Sequence, residues 1–121
     1  MAESIKVIGI VGSRRRNSHE DFVATARMFR AIYNEGDRIV SGGCPKGGDK
    51  FAHEIAKLDG IPITIYYPKW SLGRGAGIIR NSLIAAAADV LIACVADDRK
   101  GGTEDTIKKF QKLGKTEVIL V

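Results

Sequence analysis

The sequence predicts an α/β protein, a mostly parallel five-stranded sheet with helices packed on both faces. Three observations carry that expectation. Short Val- and Ile-rich runs alternate with stretches of helical period from one end of the chain to the other. Most of those runs lack polar alternation, as strands covered on both faces do. The glycines fall at the two kinds of turn such an alternation needs.

Taken in order, the strand candidates are Ile5–Val11, Arg38–Ser41, Ile61–Tyr67, Asp89–Ala96 and Glu117–Val121. The first helix candidate, His19–Tyr33, sets Phe22, Ala26, Phe29 and Tyr33 at i, i+4, i+7 and i+11, one apolar stripe. Ser18, with Asp21 three residues on, forms a capping box at its start. Asp49–Leu58 carries Ala52, Ile55 and Ala56 on one face, and Ala76–Ala88 is apolar nearly all round. Thr103–Leu113 turns Ile107, Phe110 and Leu113 inward and Lys108, Lys109 and Lys112 outward, with Thr103 as its cap. The order βαβαβαβαβ is that of a Rossmann-like three-layer domain spanning residues 1–121.

Composition sets the outer bounds. A chain of 121 residues suits one core. With 45% hydrophobic and 27% charged residues it is not a disordered chain. No apolar run approaches the roughly 20 residues that span a bilayer. The first residues run straight into a strand, so neither a signal peptide nor a membrane partner is expected. Cys44 and Cys94 stand far apart without CxxC spacing, which points to a reducing cytoplasm and to no structural metal; no resident cofactor is expected.

The 14 glycines and the net charge of +5 are explained by placement. Gly36, Gly60 and Gly114 each follow a helix and precede a strand, as helix-closing glycines do. Ten others, Gly12, Gly42, Gly43, Gly47, Gly48, Gly73, Gly75, Gly77, Gly101 and Gly102, follow strands, at the carboxyl edge where open α/β sheets bind ligands. Ten of the 19 basic residues share that edge: Arg14, Arg15, Arg16, Lys46, Lys50, Lys69, Arg74, Arg80, Arg99 and Lys100. Glycine-freed amides, helix N-termini and guanidinium groups together make an anion site, most naturally for phosphate. The plainer alternative is that βα loops turn on glycine and surface lysines are solvated; four such loops on one edge favour the ligand.

The first loop, Gly12 to Ser18, offers Gly12, Ser13 and Arg14 to a phosphate, while Arg15 and Arg16 read as a solvated turn. Gly9 and Gly12 do not give the dinucleotide pattern GxGxxG. The second loop runs Ser41-Gly42-Gly43-Cys44-Pro45-Lys46-Gly47-Gly48-Asp49 and resembles a Walker A sequence until Asp49 replaces Lys-Ser/Thr, which argues against ATP hydrolysis of that kind. Asp49 caps the helix, bonds a ribose hydroxyl, or does both. His19 and His53 read as structural. In the third loop Trp70 either stacks on a base or plugs the loop. Arg80 and Asn81 follow in the first turn of the third helix, where an arginine fork suits a phosphate or carboxylate. The fourth loop brings Gly101, Gly102 and Thr103 to a helix start, with Glu104 and Asp105 placed to suit the helix dipole.

This ordered set resembles the SLOG superfamily, which joins the LONELY GUY phosphoribohydrolases, the DNA-processing protein DprA and the molybdenum cofactor carrier proteins. The matching stretches are Val11-Gly12-Ser13-Arg14, Ser41-Gly42-Gly43 with Gly47 to Ala52, Gly77-Ile78-Ile79-Arg80-Asn81, Ala88 to Ala93, and Gly101-Gly102-Thr103. The resemblance implies a Rossmann-like fold whose glycine loops bind a nucleotide or nucleotide-derived phosphorylated ligand. It also implies, for the phosphoribohydrolases, N-glycosidic cleavage by an arginine, matched by Arg80, and by a glutamate in Pro-Gly-Gly-x-Gly-Thr-x-x-Glu. Here the glutamate position is Thr106, and the proline and first glycine pair are absent. Glu104, one residue after Thr103, lies roughly 200° away from Thr106 around the helix.

The expectation is therefore a ligand binder using Gly12, Ser13, Arg14, Ser41, Gly42, Gly43, Gly47, Gly48, Asp49, Trp70, Asn81, Gly101, Gly102 and Thr103. If it is also an enzyme, Arg80 stabilises the developing charge and Glu104 serves as base. Single-stranded nucleic-acid binding and molybdenum cofactor carriage are the alternatives; a charge of +5 and a single Trp make a poor stacking platform for many bases. The apolar Ala76–Ala88 segment predicts a homo-oligomer.

Overall fold

Isoleucine and valine positions in the strands sort to opposite faces of one sheet, and that sorting sets the layers. The computed structural model describes residues 5–73 and 75–121; Arg74, among the basic loop residues above, lies outside the described residues. The chain order is β1 (Val7–Gly12), α1 (His19–Ile32), β2 (Arg38–Ser41), α2 (Gly48–Asp59), β3 (Ile63–Ile65), α3 (Ala76–Ala87), β4 (Val90–Cys94), α4 (Gly102–Lys112) and β5 (Val118–Leu120), with a 3-10 turn at Trp70–Leu72. The sheet order is β3-β2-β1-β4-β5 and every pairing is parallel.

Successive strand side chains point to opposite faces. Ile8, Ile10, Ile39 and Ile92 meet Phe29 of α1 and Ile55 of α2 in one core. Val11, Val40, Leu91 and Ala93 meet Ile84 of α3 and Phe110 of α4 in the other. The apolar stripe foreseen for the first helix is the face that packs, with Ala26 and Phe29 buried.

The edge strands are shorter than their apolar runs. β3 covers Ile63–Ile65 and β5 Val118–Leu120, against the expected Ile61–Tyr67 and Glu117–Val121. An edge strand has one neighbour to bond, and Pro62 has no N–H to offer. Central β4, with neighbours on both sides, is buried throughout.

Helix ends are closed in several ways. The Ser18–Asp21 capping box is present at α1. Gly60 ends α2 in the left-handed region at φ 68°, as its position implied. At the end of α3, the Lys115 ammonium donates to the carbonyls of Ala85, Ala86 and Ala88 at 3.0, 2.9 and 2.6 Å. Those are last-turn carbonyls that no amide of the helix can reach.

The chain moves from β1 outward through β2 to β3, then returns to the other side of β1 to place β4. The loops after β1 and β4 therefore leave in opposite directions. A crevice opens between them at the carboxyl ends of the strands.

Candidate functional site

The loop after β1 begins at Gly12, which lies beside Cys94 of β4, and the Ser13 amide donates to the Cys94 carbonyl at 2.9 Å. Ser13 Oγ accepts from the Arg15 amide at 3.1 Å and shapes the turn. Arg14 is exposed and has no ion pair among the described residues. Neither of the next two arginines is simply solvated. Arg15 holds Asp98 with both guanidinium nitrogens, at 2.8 and 2.7 Å. Arg16 is half-buried and pins the loop, donating to Asp21 and to the carbonyls of Val95 and Val121, all at 2.8 Å.

Gly47 and Gly48, the second pair of the loop after β2, meet the first loop back to back. A Cβ on Gly48 would lie 2.2 Å from the Val11 carbonyl carbon, and one on Gly47 2.3 Å from the Ser13 oxygen. These glycines let α2 start against the end of β1. Asp49 does not cap α2: the N-cap is Gly47, without a side-chain cap bond. Helix geometry turns the Asp49 carboxylate back under its own loop instead. There it accepts from Ser41 Oγ at 2.9 Å and from the Cys44 amide at 3.1 Å. Burial pushes this carboxyl above its ordinary value, against those hydrogen bonds and the nearby Arg80 charge, which pull it down.

From α3, Arg80 donates to the Gly42 carbonyl and, through Nε, to Asn81 Oδ1 at 3.0 Å. Its guanidinium also stands 3.9 Å from Asp49. Asn81 Nδ2 donates onward to the Gly102 carbonyl at 3.3 Å and to Asp105 at 3.1 Å. Arg80 and Asn81 thus tie the loop after β2 to the start of α4.

That start differs from the expected one. α4 begins at Gly102 with Gly101 as N-cap at φ 116°, so Thr103 lies inside the first turn and does not cap it. No side chain closes this helix end, which leaves first-turn amides available. Glu104 is held by Arg99 through two bonds of 2.8 Å. Thr106 is buried and donates to the Gly102 carbonyl at 3.3 Å.

These loops surround a cavity of about 600 Å³. Of the sequence-predicted site residues, Gly12, Ser13, Arg14, Gly42, Gly43, Asp49, Trp70, Arg80, Asn81, Gly101, Gly102 and Thr103 line it. Ser41, Gly47, Gly48 and Glu104 are not in its wall. Ser41 stands behind Asp49, the glycines are packed on β1, and Glu104 is engaged by Arg99. Arg15 and Lys100, expected at this edge but not among the predicted site residues, also line the cavity, as does Tyr67. Their position just after strand ends was the available signal. Among the described residues Asp49 is the one carboxylate of the wall, against Arg14, Arg15, Arg80 and Lys100.

No family model matches this chain, and no curated protein matches it. Solved structures do. The molybdenum cofactor binding protein from the phototrophic bacterium Rippkaea orientalis is 23% identical, with 98% of this chain and 77% of that one covered and a TM-score of 0.76. The molybdenum cofactor carrier protein of Chlamydomonas reinhardtii is 21% identical, with 97% and 76% covered and a TM-score of 0.73. The single-stranded-DNA-binding DNA processing protein A of Helicobacter pylori is 22% identical, with 96% and 64% covered and a TM-score of 0.72. The chain has the Rossmann-like α/β fold of these solved structures.

Proposed function

We propose that this protein binds a nucleotide or nucleotide-derived phosphorylated ligand in the cavity at the carboxyl edge of its sheet. One observation carries the reading: α4 presents an uncapped N-terminus to that cavity, beside Arg14 and Lys100, which have no ion pair among the described residues. First-turn amides and the helix dipole favour a phosphate there. Ser13, Gly102 and Thr103 supply the close contacts, and Arg80 and Asn81 fix the loops that carry them. The solved neighbours are named for binding molybdenum cofactor or single-stranded DNA, which supports a ligand-binding role.

The reading is of binding without glycosidic cleavage. Thr106 stands where the resembling hydrolases carry their glutamate, and Glu104 is committed to Arg99. A thermal-shift panel of nucleotides tests the binding, and chromatography of any hit after long incubation tests the chemistry. A rise in melting temperature with no free base is the expected result. Release of base by wild type, lost in Arg80→Ala and Glu104→Gln, would restore the hydrolase.

Molybdenum cofactor carriage would use the same edge, and elemental analysis of the purified protein for molybdenum separates it from nucleotide binding. Oligonucleotide binding predicts an affinity that falls steeply with salt. Pairing of Arg15 with Asp98 and of Arg99 with Glu104 leaves too few uncommitted charges for a long phosphate track. We also propose a homo-oligomer, supported by Ile78, Ile79 and Leu83, which are 58%, 51% and 49% exposed on α3. A monomeric mass in light scattering overturns it. The free Cys44 and Cys94 fit a reducing compartment such as the cytoplasm.

No helix among the described residues is long and apolar enough to cross a membrane.

A further inference from the structure

We infer that Tyr67 and Trp70 form a stacking seat for a planar fused-ring heterocycle, so that the ligand is a heterocycle joined to a phosphate monoester and lies lengthwise along the sheet edge. This rests on the phosphate reading above and adds the other end of the ligand.

Both rings line the cavity and are largely open to it, Tyr67 66% and Trp70 68% exposed. Large aromatic rings ordinarily bury most of their surface in a core or against one another. The ring pairs among the described residues are His19–Phe22, Phe22–Phe51 and Phe29–Tyr33, all on α1 and α2 or the residue after α1. Tyr67 and Trp70 have no ring partner in that set. They are nevertheless held in place. Gly43 gives Tyr67 its seat: a Cβ there would come 2.4 and 2.6 Å from two ring carbons. The Trp70 indole reaches over Gly77 of α3, where a Cβ would lie 4.0 Å from its outer carbon. The backbone beneath is fixed by the 3-10 turn, with the Leu72 amide donating to Lys69 at 2.8 Å and the Gly73 amide to Trp70 at 3.0 Å. Glycine at both positions leaves room beside each ring, and both rings stay largely uncovered.

The topology sets the distance to the phosphate end. The aromatic segment follows β3 and the open helix start follows β4, with β2 and β1 between them. Three interstrand spacings of about 4.8 Å make a span on the order of 14 Å. That suits one heterocycle, a short linker and one phosphate. Each aromatic ring stacks on any flat base, so the seat selects for planarity and leaves hydrogen bonding to choose among rings.

Trp70 is the chain's one tryptophan, so its fluorescence reports on this seat alone. The full chain is titrated with adenosine 5′-monophosphate, neopterin monophosphate, ribose 5-phosphate and inorganic phosphate, with melting temperature and inner-filter-corrected emission read together. The heterocyclic phosphates are expected to raise the melting temperature and quench Trp70; ribose 5-phosphate raises the temperature and leaves emission unchanged. The tighter of the two heterocycles identifies the ring class. By calorimetry, Trp70→Ala and Tyr67→Ala each weaken the heterocyclic phosphate about tenfold and ribose 5-phosphate not at all, while Trp70→Phe restores most of the affinity. Both rings are exposed, so the unliganded variants melt as wild type does.

Equal affinity for ribose 5-phosphate and the heterocyclic phosphates, with unquenched emission, overturns the seat and leaves the phosphate reading standing. No thermal response to any phosphorylated compound overturns both.

Discussion

Two glycine pairs that look alike in sequence have opposite physical uses. Gly47-Gly48 and Gly101-Gly102 each lie between a strand and a helix at the carboxyl edge, and each helix starts without a side-chain cap. At Gly48 a Cβ would collide with the backbone of Val11 and Gly12, at 2.2 and 2.3 Å. At Gly101 a Cβ meets nothing within 4 Å, and at Gly102 only Asn81 at 3.9 Å. The first pair spends its missing side chains on protein packing, with the Gly47 amide already donating to Asn17 at 2.8 Å. The second leaves its space and its amides to the cavity. Glycine before a helix therefore leaves room for a close approach; the neighbouring elements decide whether backbone fills it or it stays open.

The largest test of that difference is Gly48→Ala, which should cost about 3 kcal/mol in urea unfolding, because neither contacting backbone can retreat. A cost below about 1 kcal/mol would mean that the α2–β1 approach yields and that the two pairs are not distinct. Ser18→Ala comes next. It removes the closed cap of α1 and should cost about 1 kcal/mol while leaving ligand affinity untouched; a loss of affinity would place the site wrongly. Gly102→Ala should change stability by no more than about 0.5 kcal/mol yet weaken a phosphorylated ligand about tenfold, read by calorimetry. Unchanged binding would show that the open helix start is unused.

The mildest test is a pH slope at Asp49, which belongs to the packed loop. Its folded carboxyl titrates above the ordinary 3.8 because of burial. Between those values the folded protein holds more protons than the unfolded one, so stability falls as pH rises through the window and the loss is complete above it. Asp49→Asn lacks this titration. Its stability relative to wild type should therefore rise as the pH climbs above ~4, the ordinary carboxyl value. The opposite slope would mean that Arg80 and the hydrogen bonds outweigh burial.

Most of the fold was legible because its signals are local. β2 runs from Arg38 to Ser41 as read, and the Ser18–Asp21 box and the helix-closing Gly60 follow from short-range geometry. The strand ends were less legible, since pairing and not apolarity ends an edge strand such as β3. At the site, Gly101 and Gly102 were found by their position, yet Thr103 was misread as a cap because the helix begins one residue earlier. Arg16 was read as solvated because its partners Val95 and Val121 are far along the chain. The same distance hid the use of Lys115 at the end of α3.

By itself the sequence determined the alternation of elements, the gathering of glycine-rich loops at the carboxyl edge and the many basic residues there. Periodicity, caps and glycine turns act over a few residues, so a single chain displays them. Only the tertiary structure decided which glycines are filled by backbone and which stay open. It also decided which arginines are spent on Asp98, Glu104 and buried carbonyls, and that Asp49 lies beneath its loop and does not cap the helix. Those outcomes depend on strands brought side by side in the order β3-β2-β1-β4-β5, and the contacts that decide them join residues tens of positions apart.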